Sequence, residues 1–193
     1  MHLFWYIACG MLVIEKRIER VSAMKNKQLE ASLGENFPFM KRTTTAESTS
    51  YQQWGCECGD GWYQLICDLC AEISNAYSQA DSKPDIIVLQ VKQKFARLRF
   101  YYTFEGVPAG VIIDFLGSGT LRTDPDDDDA PDDVKALHAK IKSIVRRYEE
   151  KSGTVCELCG AAGTLRKLEN GWLKTLCGDC FETLVSQQKK RRC

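Results

Sequence analysis

The spacing of apolar residues changes several times along the chain, and each change marks an element. Trp62, Leu65, Ile66, Leu69, Ile73 and Tyr77 recur at three- and four-residue steps, which puts them on one face of an amphipathic helix over residues 62–77. Gly59-Asp60-Gly61 before it is a turn signal that caps this helix and seats Trp62 in the core. Ser82-Lys83-Pro84-Asp85 breaks the chain, and the β-branched run over residues 86–91 predicts a strand buried on at least one side. Leu98, Phe100 and Tyr102 alternate with Arg97, Arg99 and Tyr101, so a second strand presents an apolar face inward and a basic, aromatic face outward. Residues 92–96 make the connection, and residues 111–116 are a third candidate strand after a turn region at 106–110. Val134, Leu137, Ile141, Ile144, Val145 and Tyr148 return to helical spacing over residues 134–152. Asp132 and Asp133 meet the positive end of that helix and Arg146, Arg147 and Lys151 the negative end. His138 within it reads as a partly exposed helix residue.

The remaining segments are polar or charged. Residues 24–51 contain Thr43-Thr44-Thr45 and Ser48-Thr49-Ser50 with no sustained period, and read as a mobile lead-in anchored only by Phe37, Phe39 and Met40. Residues 3–14 are nearly all apolar, but a bilayer span needs about 20 such residues and a secretory signal needs a basic n-region. No membrane partner is expected. Translation is expected to begin at Met24, since Glu19-Arg20 can be encoded by a purine run placed where a bacterial ribosome-binding site would lie. The sequence thus divides into a lead-in at 1–50, an α+β domain at 51–121, an acidic linker at 122–133, a helix at 134–152, a zinc ribbon at 153–185 and a basic tail at 186–193. The predicted fold class is α+β: a small helix-plus-antiparallel-sheet domain, then a helix and a C-terminal four-cysteine zinc ribbon.

Composition narrows the possibilities. The 193 residues are 44% hydrophobic and 27% charged, the balance of a globular protein able to bury a core. Lys plus Arg (26) equal Asp plus Glu (26), so any electrostatic partner must be recognised by a local patch. Ten cysteines suggest a disulfide framework only in much shorter secreted chains, and four of these sit at metal-ligand spacing. A reducing, cytoplasmic compartment follows.

Cys156-x-x-Cys159 and Cys177-x-x-Cys180 have the spacing of a four-cysteine zinc ribbon. Each pair can fold as a knuckle whose backbone N–H groups point at the thiolates, with Gly160 and Gly178 relieving the crowding. Asn170-Gly171 supplies the chain reversal between arms at 164–168 and 172–176. Four thiolates fill a tetrahedral shell, so the site is structural, with one zinc per chain. Cys56, Cys58, Cys67 and Cys70 form a second cluster, but Cys67 and Cys70 lie within an apolar helical pattern that needs no metal. These four are expected to be small core or near-core side chains.

Four stretches together resemble a family of largely uncharacterised bacteriophage and prophage proteins with a terminal zinc ribbon. They are Glu57-Cys58-Gly59-Asp60-Gly61-Trp62, the run Gln90-Val91-Lys92-Gln93-Lys94-Phe95-Ala96-Arg97-Leu98-Arg99-Phe100-Tyr101, Cys156-Glu157-Leu158-Cys159-Gly160 and Gly171-Trp172-Leu173-Lys174-Thr175-Leu176-Cys177. The resemblance spans residues 57–180 and implies a host-cytoplasmic protein, without implying an activity. Ala96 departs from the glycine usual after the Lys-x-Lys-Phe segment, and Cys180 stands where many relatives have histidine.

Candidate chemistry outside the ribbon is sparse. Lys92, Lys94, Arg97, Arg99 and Tyr101 are candidate nucleic-acid-binding residues, their cations for phosphates and their ring for unstacked bases; a solvated strand face is the plainer alternative. The aspartates at 126–129 could instead mimic phosphates toward a host or phage protein. Asp85 with Gln90-Val91-Lys92 only weakly matches a magnesium-dependent nuclease, because glutamine lacks the second charge. The sequence therefore predicts a non-catalytic binding protein with nucleic acid as leading partner.

Overall fold

The computed structural model describes residues 27–43, 49–110, 112–115, 119–123, 125 and 130–190. The expected start at Met24, the apolar run at 3–14, the aspartates at 126–129 and Arg191-Arg192 of the tail lie outside the described residues. The protein is α+β, with helices around small sheets.

Much of the lead-in belongs to the core, contrary to the mobile segment expected from its polarity. Helix α1 (Lys27–Asn36) and a 3-10 turn (Pro38–Met40) bury Leu33 and Met40 completely, with Leu29, Phe37 and Phe39 packed beside them. Polar residues here are fastened rather than solvated. Glu30 accepts the Cys56 N–H at 2.6 Å and pairs with Arg42, which donates to the carbonyls of Gln52 and Gln53 at the end of α2 (Ser50–Trp54). Thr49 caps the start of α2 by accepting from Gln52 N–H, and Tyr51 donates to the Met40 carbonyl. Gly55 ends α2 at φ 68°, where a Cβ would fall 1.6 Å from Glu30 Oε1.

The main sheet has the order β1-β2-β3 and is mixed rather than purely antiparallel. β1 (Cys56–Glu57) runs parallel to β2 (Ile86–Lys94), which pairs antiparallel with β3 (Arg97–Phe104). The register shifts between Val88 and Gln90. One extra residue at Leu89 exchanges the two faces of β2. Ile86 and Val88 point inward before it, Val91 and Gln93 after it, opposite Phe104, Tyr102, Phe100 and Leu98 of β3. Helix α3 (Tyr63–Gln79), entered through a 3-10 turn (Asp60–Trp62), lays Leu65, Ile66, Leu69, Cys70, Ile73, Ala76 and Tyr77 into the same core. Helix burial of this kind contributes about 1.5–3 kcal/mol for each large apolar side chain.

Residues 112–115 and 119–122 form a separate two-stranded ribbon, β4 (Ile112–Phe115) and β5 (Gly119–Arg122), so the third candidate strand does not join the main sheet. Helix α4 (Asp132–Lys151) returns to the core through Leu137, Ile141, Ile144, Val145 and Tyr148. Its C-terminal end also closes the outer edge of β3. Glu149 Oε1 accepts the Phe100 N–H and Ser152 Oγ accepts the Leu98 N–H, both at 2.8 Å. An edge strand presents such groups on alternate residues, and the two side chains satisfy successive ones.

His138 is a correction: it is 2% exposed, not partly exposed. Its ring stacks on Phe104 with centroids 3.5 Å apart, and Nε2 lies 3.1 Å from Asp85 Oδ2. Tyr77 donates to the other oxygen of Asp85 at 2.6 Å. Position 138 falls on the apolar stripe with 134, 141 and 145, so its burial was legible from spacing.

The connection between β2 and β3 is only Phe95 and Ala96, shorter than the predicted 92–96, because both strands run on to Lys94 and Arg97. Both turn residues are left-handed, at φ 52° and 60°, as a type I′ hairpin requires. A non-glycine residue there costs about 1–2 kcal/mol. Ala96→Gly should therefore leave stability unchanged or raise it by up to about 1 kcal/mol. Ala136→Gly, on the exposed face of α4, should lose about 1 kcal/mol. Denaturant unfolding of both variants checks this, and an equal loss at both positions would refute the strain assigned to Ala96.

Candidate metal centre

The C-terminal module begins where α4 ends. A 3-10 turn (Ser152–Thr154) leads into residues 155–160, which fold as a knuckle: Gly160 N–H donates to the Cys156 carbonyl at 2.9 Å, with Gly160 at φ 79°. The chain then forms the hairpin β6 (Thr164–Lys167) and β7 (Leu173–Leu176). Asn170-Gly171 sits within a loop over residues 168–172, with Gly171 at φ 85° and Leu168 N–H bonded to the Trp172 carbonyl. Helix α5 (Gly178–Lys190) follows, running through residues expected to be a solvated tail. The second Cys-x-x-Cys is therefore a helix start rather than a second knuckle. Gly178 has open space around its Cβ position and an ordinary φ, so it does not relieve crowding as Gly160 does.

The hairpin reversal brings the two pairs together. The ligand atoms of Cys156, Cys159, Cys177 and Cys180 all lie within 4.8 Å of one another, and the Cys159 and Cys177 sulfurs are 3.6 Å apart. This is the one such group of three or more among the described residues. Burial opposes ionisation of Cys156, but N–H groups of Cys177, Cys159 and Leu158 outweigh it and bring the thiol down to about 7. Burial pushes Cys180 up, and bonding to Cys177, Cys159 and Cys156 adds to the rise. Thiols this close resist ionising together unless a cation neutralises them, so the donor set suits a metal ion.

The rest of the fold grips this knuckle closely. Gly61 N–H donates to the Glu157 carbonyl at 2.9 Å, and Trp62 Nε1 donates to the Val155 carbonyl at 2.8 Å. A Cβ on Gly61 would stand 2.4 Å from the Cys156 carbonyl oxygen and 2.5 Å from the Cys159 nitrogen; one on Gly59 would stand 2.2 Å from the Glu157 oxygen. Gly59 and Trp62, which begin the 3-10 turn and the helix, make no side-chain cap; what Gly59-Asp60-Gly61 does is let two backbones touch. Trp62 is fully buried, as expected. From the other side, β7 meets the β2–β3 turn. Gln93 donates to the Leu173 carbonyl at 2.8 Å and Thr175 to the Ala96 carbonyl at 2.7 Å. Between them Lys174 holds both oxygens of the fully buried Glu157 at 2.8 Å. Removing one partner of such a buried pair costs about 3–5 kcal/mol. Sequence reading missed Gln93, Glu157 and Lys174, since polar residues at these positions carry no periodic signal.

The candidate nucleic-acid residues divide. Register sets Lys92 opposite Arg99 and Lys94 opposite Arg97 on the outward face of the hairpin, with Arg97 exposed and both lysines half-buried. Lys92 lies over the Tyr101 ring and Lys94 over Phe95. Arg97 donates to the Glu150 carbonyl at 3.3 Å, and Arg99 lies 3.9 Å from Glu149. Tyr101 is a correction: at 2% exposure its ring is not available for stacking on a base. Alternation placed it outward, but an outward side chain is exposed only where nothing covers that face.

Cys56, Cys58 and Cys70 are fully buried in the main core and Cys67 is half-buried. Bonding to Cys56 and burial push the Cys58 thiol up, and burial pushes Cys70 and Cys67 up. Cys58 and Cys70, with raised thiols and no solvent access, are the least reactive of these.

Compared with known proteins, the chain matches no family model, no curated protein and no solved structure. Among the described residues, no helix is long and apolar enough to cross a membrane.

Two outcomes follow from this packing. Gly61→Ala should lose about 2 kcal/mol or more, because only backbone atoms face the new methyl, whereas Gly178→Ala should be tolerated; thermal unfolding of the two variants compares them. Chelation should also unfold more than the module. Hydrogen exchange on the chelated protein should show protection lost at Trp62 and in β2–β3, while protection retained there would mean that the module is an independent appendage.

Proposed function

We propose that the protein is a non-catalytic, zinc-stabilised binding protein of the phage or prophage type that its sequence resembles, acting in the cytoplasm with nucleic acid as its leading partner. Zinc is the ion the donors suit best. Four thiolates at about 2.3 Å around zinc lie about 3.8 Å from one another, and the Cys159 and Cys177 sulfurs are 3.6 Å apart. No position is left for water, so the metal holds the module in shape.

The observation that carries the nucleic-acid reading is the hairpin register, which stacks Lys92 and Lys94 directly across from Arg99 and Arg97. Like charges opposite one another disfavour the sheet; Glu149 beside Arg99 and Glu57 in register with Lys92 offset part of this, and a phosphate chain along the face would add to that. Arg97 and Arg99 are partly committed to α4 and Lys92 and Lys94 lie over the Tyr101 and Phe95 rings, so all four cations share the face with contacts of their own. A magnesium nuclease is less well supported, because both oxygens of Asp85 are engaged by Tyr77 and His138 and the Gln90 amide bonds to Glu57.

Lys92→Ala with Lys94→Ala should weaken binding of a single-stranded oligonucleotide and reduce the slope of log K against log salt by about 1.4, two contacts' worth. Fluorescence anisotropy across salt concentrations measures both. Unchanged affinity in the variant would remove this face from the binding surface. A protein partner that co-purifies and survives high salt would favour the alternative of a host or phage protein.

A further inference from the structure

The four ligand cysteines differ in how far solvent can reach them. Cys156 is fully buried, Cys177 and Cys180 are half-buried, and Cys159 at the end of the knuckle is exposed. Cys159 and Cys177 come from opposite arms of the module, yet their sulfurs approach to 3.6 Å. A disulfide needs about 2.05 Å, so closing the pair requires a shift of roughly 1.5 Å, within reach of side-chain rotation and a small movement of the knuckle. The other cysteine group offers no comparable pair, because Cys56, Cys58 and Cys70 are enclosed and only Cys67 is half-buried.

We propose that Cys159 and Cys177 form an oxidation site, at which hydrogen peroxide joins the two sulfurs and expels the metal. The proposal rests on the zinc reading of the four-cysteine cluster. Metal binding keeps the sulfurs as thiolates, the nucleophilic form, without a free thiol having to ionise. The exposed Cys159 sulfur attacks one peroxide oxygen; the O–O bond breaks, and a protonated second oxygen leaves as water, giving a sulfenic acid. The Cys177 thiolate then attacks the Cys159 sulfur, the S–S bond forms, and hydroxide leaves and is protonated to water. Two electrons pass from the sulfurs to the peroxide, and zinc, left with two of its four ligands, departs as Zn²⁺.

The consequence reaches beyond the module. The Cys156 carbonyl and the Cys159 nitrogen form the wall against which Gly61 packs without a side chain. A knuckle that shifts to close the bridge moves that wall, and the contacts of Gly61 and Trp62 with Glu157 and Val155 are disturbed with it. Oxidation at an exposed sulfur would thereby be transmitted to α3 and to the basic hairpin.

The test uses the full chain, reduced and assayed for zinc before treatment with hydrogen peroxide. A chromogenic chelator follows metal release, and peptide mass spectrometry after alkylation maps the disulfide. Zinc should leave in step with a Cys159–Cys177 bridge, and thiol reductant with added zinc should restore the starting state. Cys159→His keeps a fourth ligand but removes the oxidisable pair, and should slow release by at least about tenfold. If that variant does not load zinc, the wild-type disulfide map decides the matter. Zinc retained while peroxide is consumed, or a bridge formed elsewhere, overturns this proposal alone. A chain that carries no zinc before oxidation overturns the metal reading and this proposal with it.

Discussion

The close approach of two backbones, one at Gly59 to Trp62 and the other at the Cys156–Cys159 knuckle, is the constraint on which the rest of the arrangement depends. Neither segment has room for a side chain at the contact, since a methyl on Gly61 would overlap the Cys156 carbonyl and the Cys159 nitrogen together. Two hydrogen bonds then fix the distance, from Gly61 N–H to Glu157 and from the Trp62 indole to Val155. Because Trp62 opens α3 and is itself fully enclosed, the helix that lays seven buried side chains into the main core begins on the four-cysteine module. The module keeps a small core of its own around Cys156, Leu168 and Leu176, separate from the main one, so close backbone contact and hydrogen bonds join the two.

The second attachment has a different physical character. β7 is held to the β2–β3 turn through polar groups, with Leu173 and Thr175 bonded to Gln93 and Ala96, while Lys174 between them holds Glu157 of the module's own knuckle. Burying a charged pair such as Glu157 with Lys174 gains little in stability over an apolar pair, yet it fixes the position of its partners, because a misplaced charge would be left unpaired. Apolar packing alone would let the hairpin slide across the turn. The bulge at Leu89 serves the same end by turning Gln93 inward while Lys92 and Lys94 face out.

The edge of β3 shows how α4 links these parts. Glu149 and Ser152 accept strand N–H groups, and the Ser152 hydroxyl itself donates to the Glu149 carbonyl. A helix end, with its unbonded carbonyls and negative dipole, is a natural neighbour for Arg97 and Arg99. The basic strand face is therefore partly engaged by the fold, Arg97 and Arg99 through α4 and Lys92 and Lys94 through the Tyr101 and Phe95 rings.

The sequence by itself determined the two long helices, read at 62–77 and 134–152 and found at 63–79 and 132–151, the two principal strands and the four-cysteine cluster, because each rests on a local period or a short spacing. Helical recurrence from Trp62 to Tyr77 and alternation from Leu98 to Tyr102 need no knowledge of a partner. Only the tertiary structure decided the rest. Leu33 is enclosed because a helix with few apolar residues still has something to cover, whereas Met40 beside it was expected as an anchor. Tyr101 is buried because exposure depends on what lies above a strand, which alternation does not report. The role of Gly59 and Gly61 was out of reach for the same reason: a missing side chain shows its purpose only when the opposing backbone, nearly a hundred residues later in the chain, stands against it.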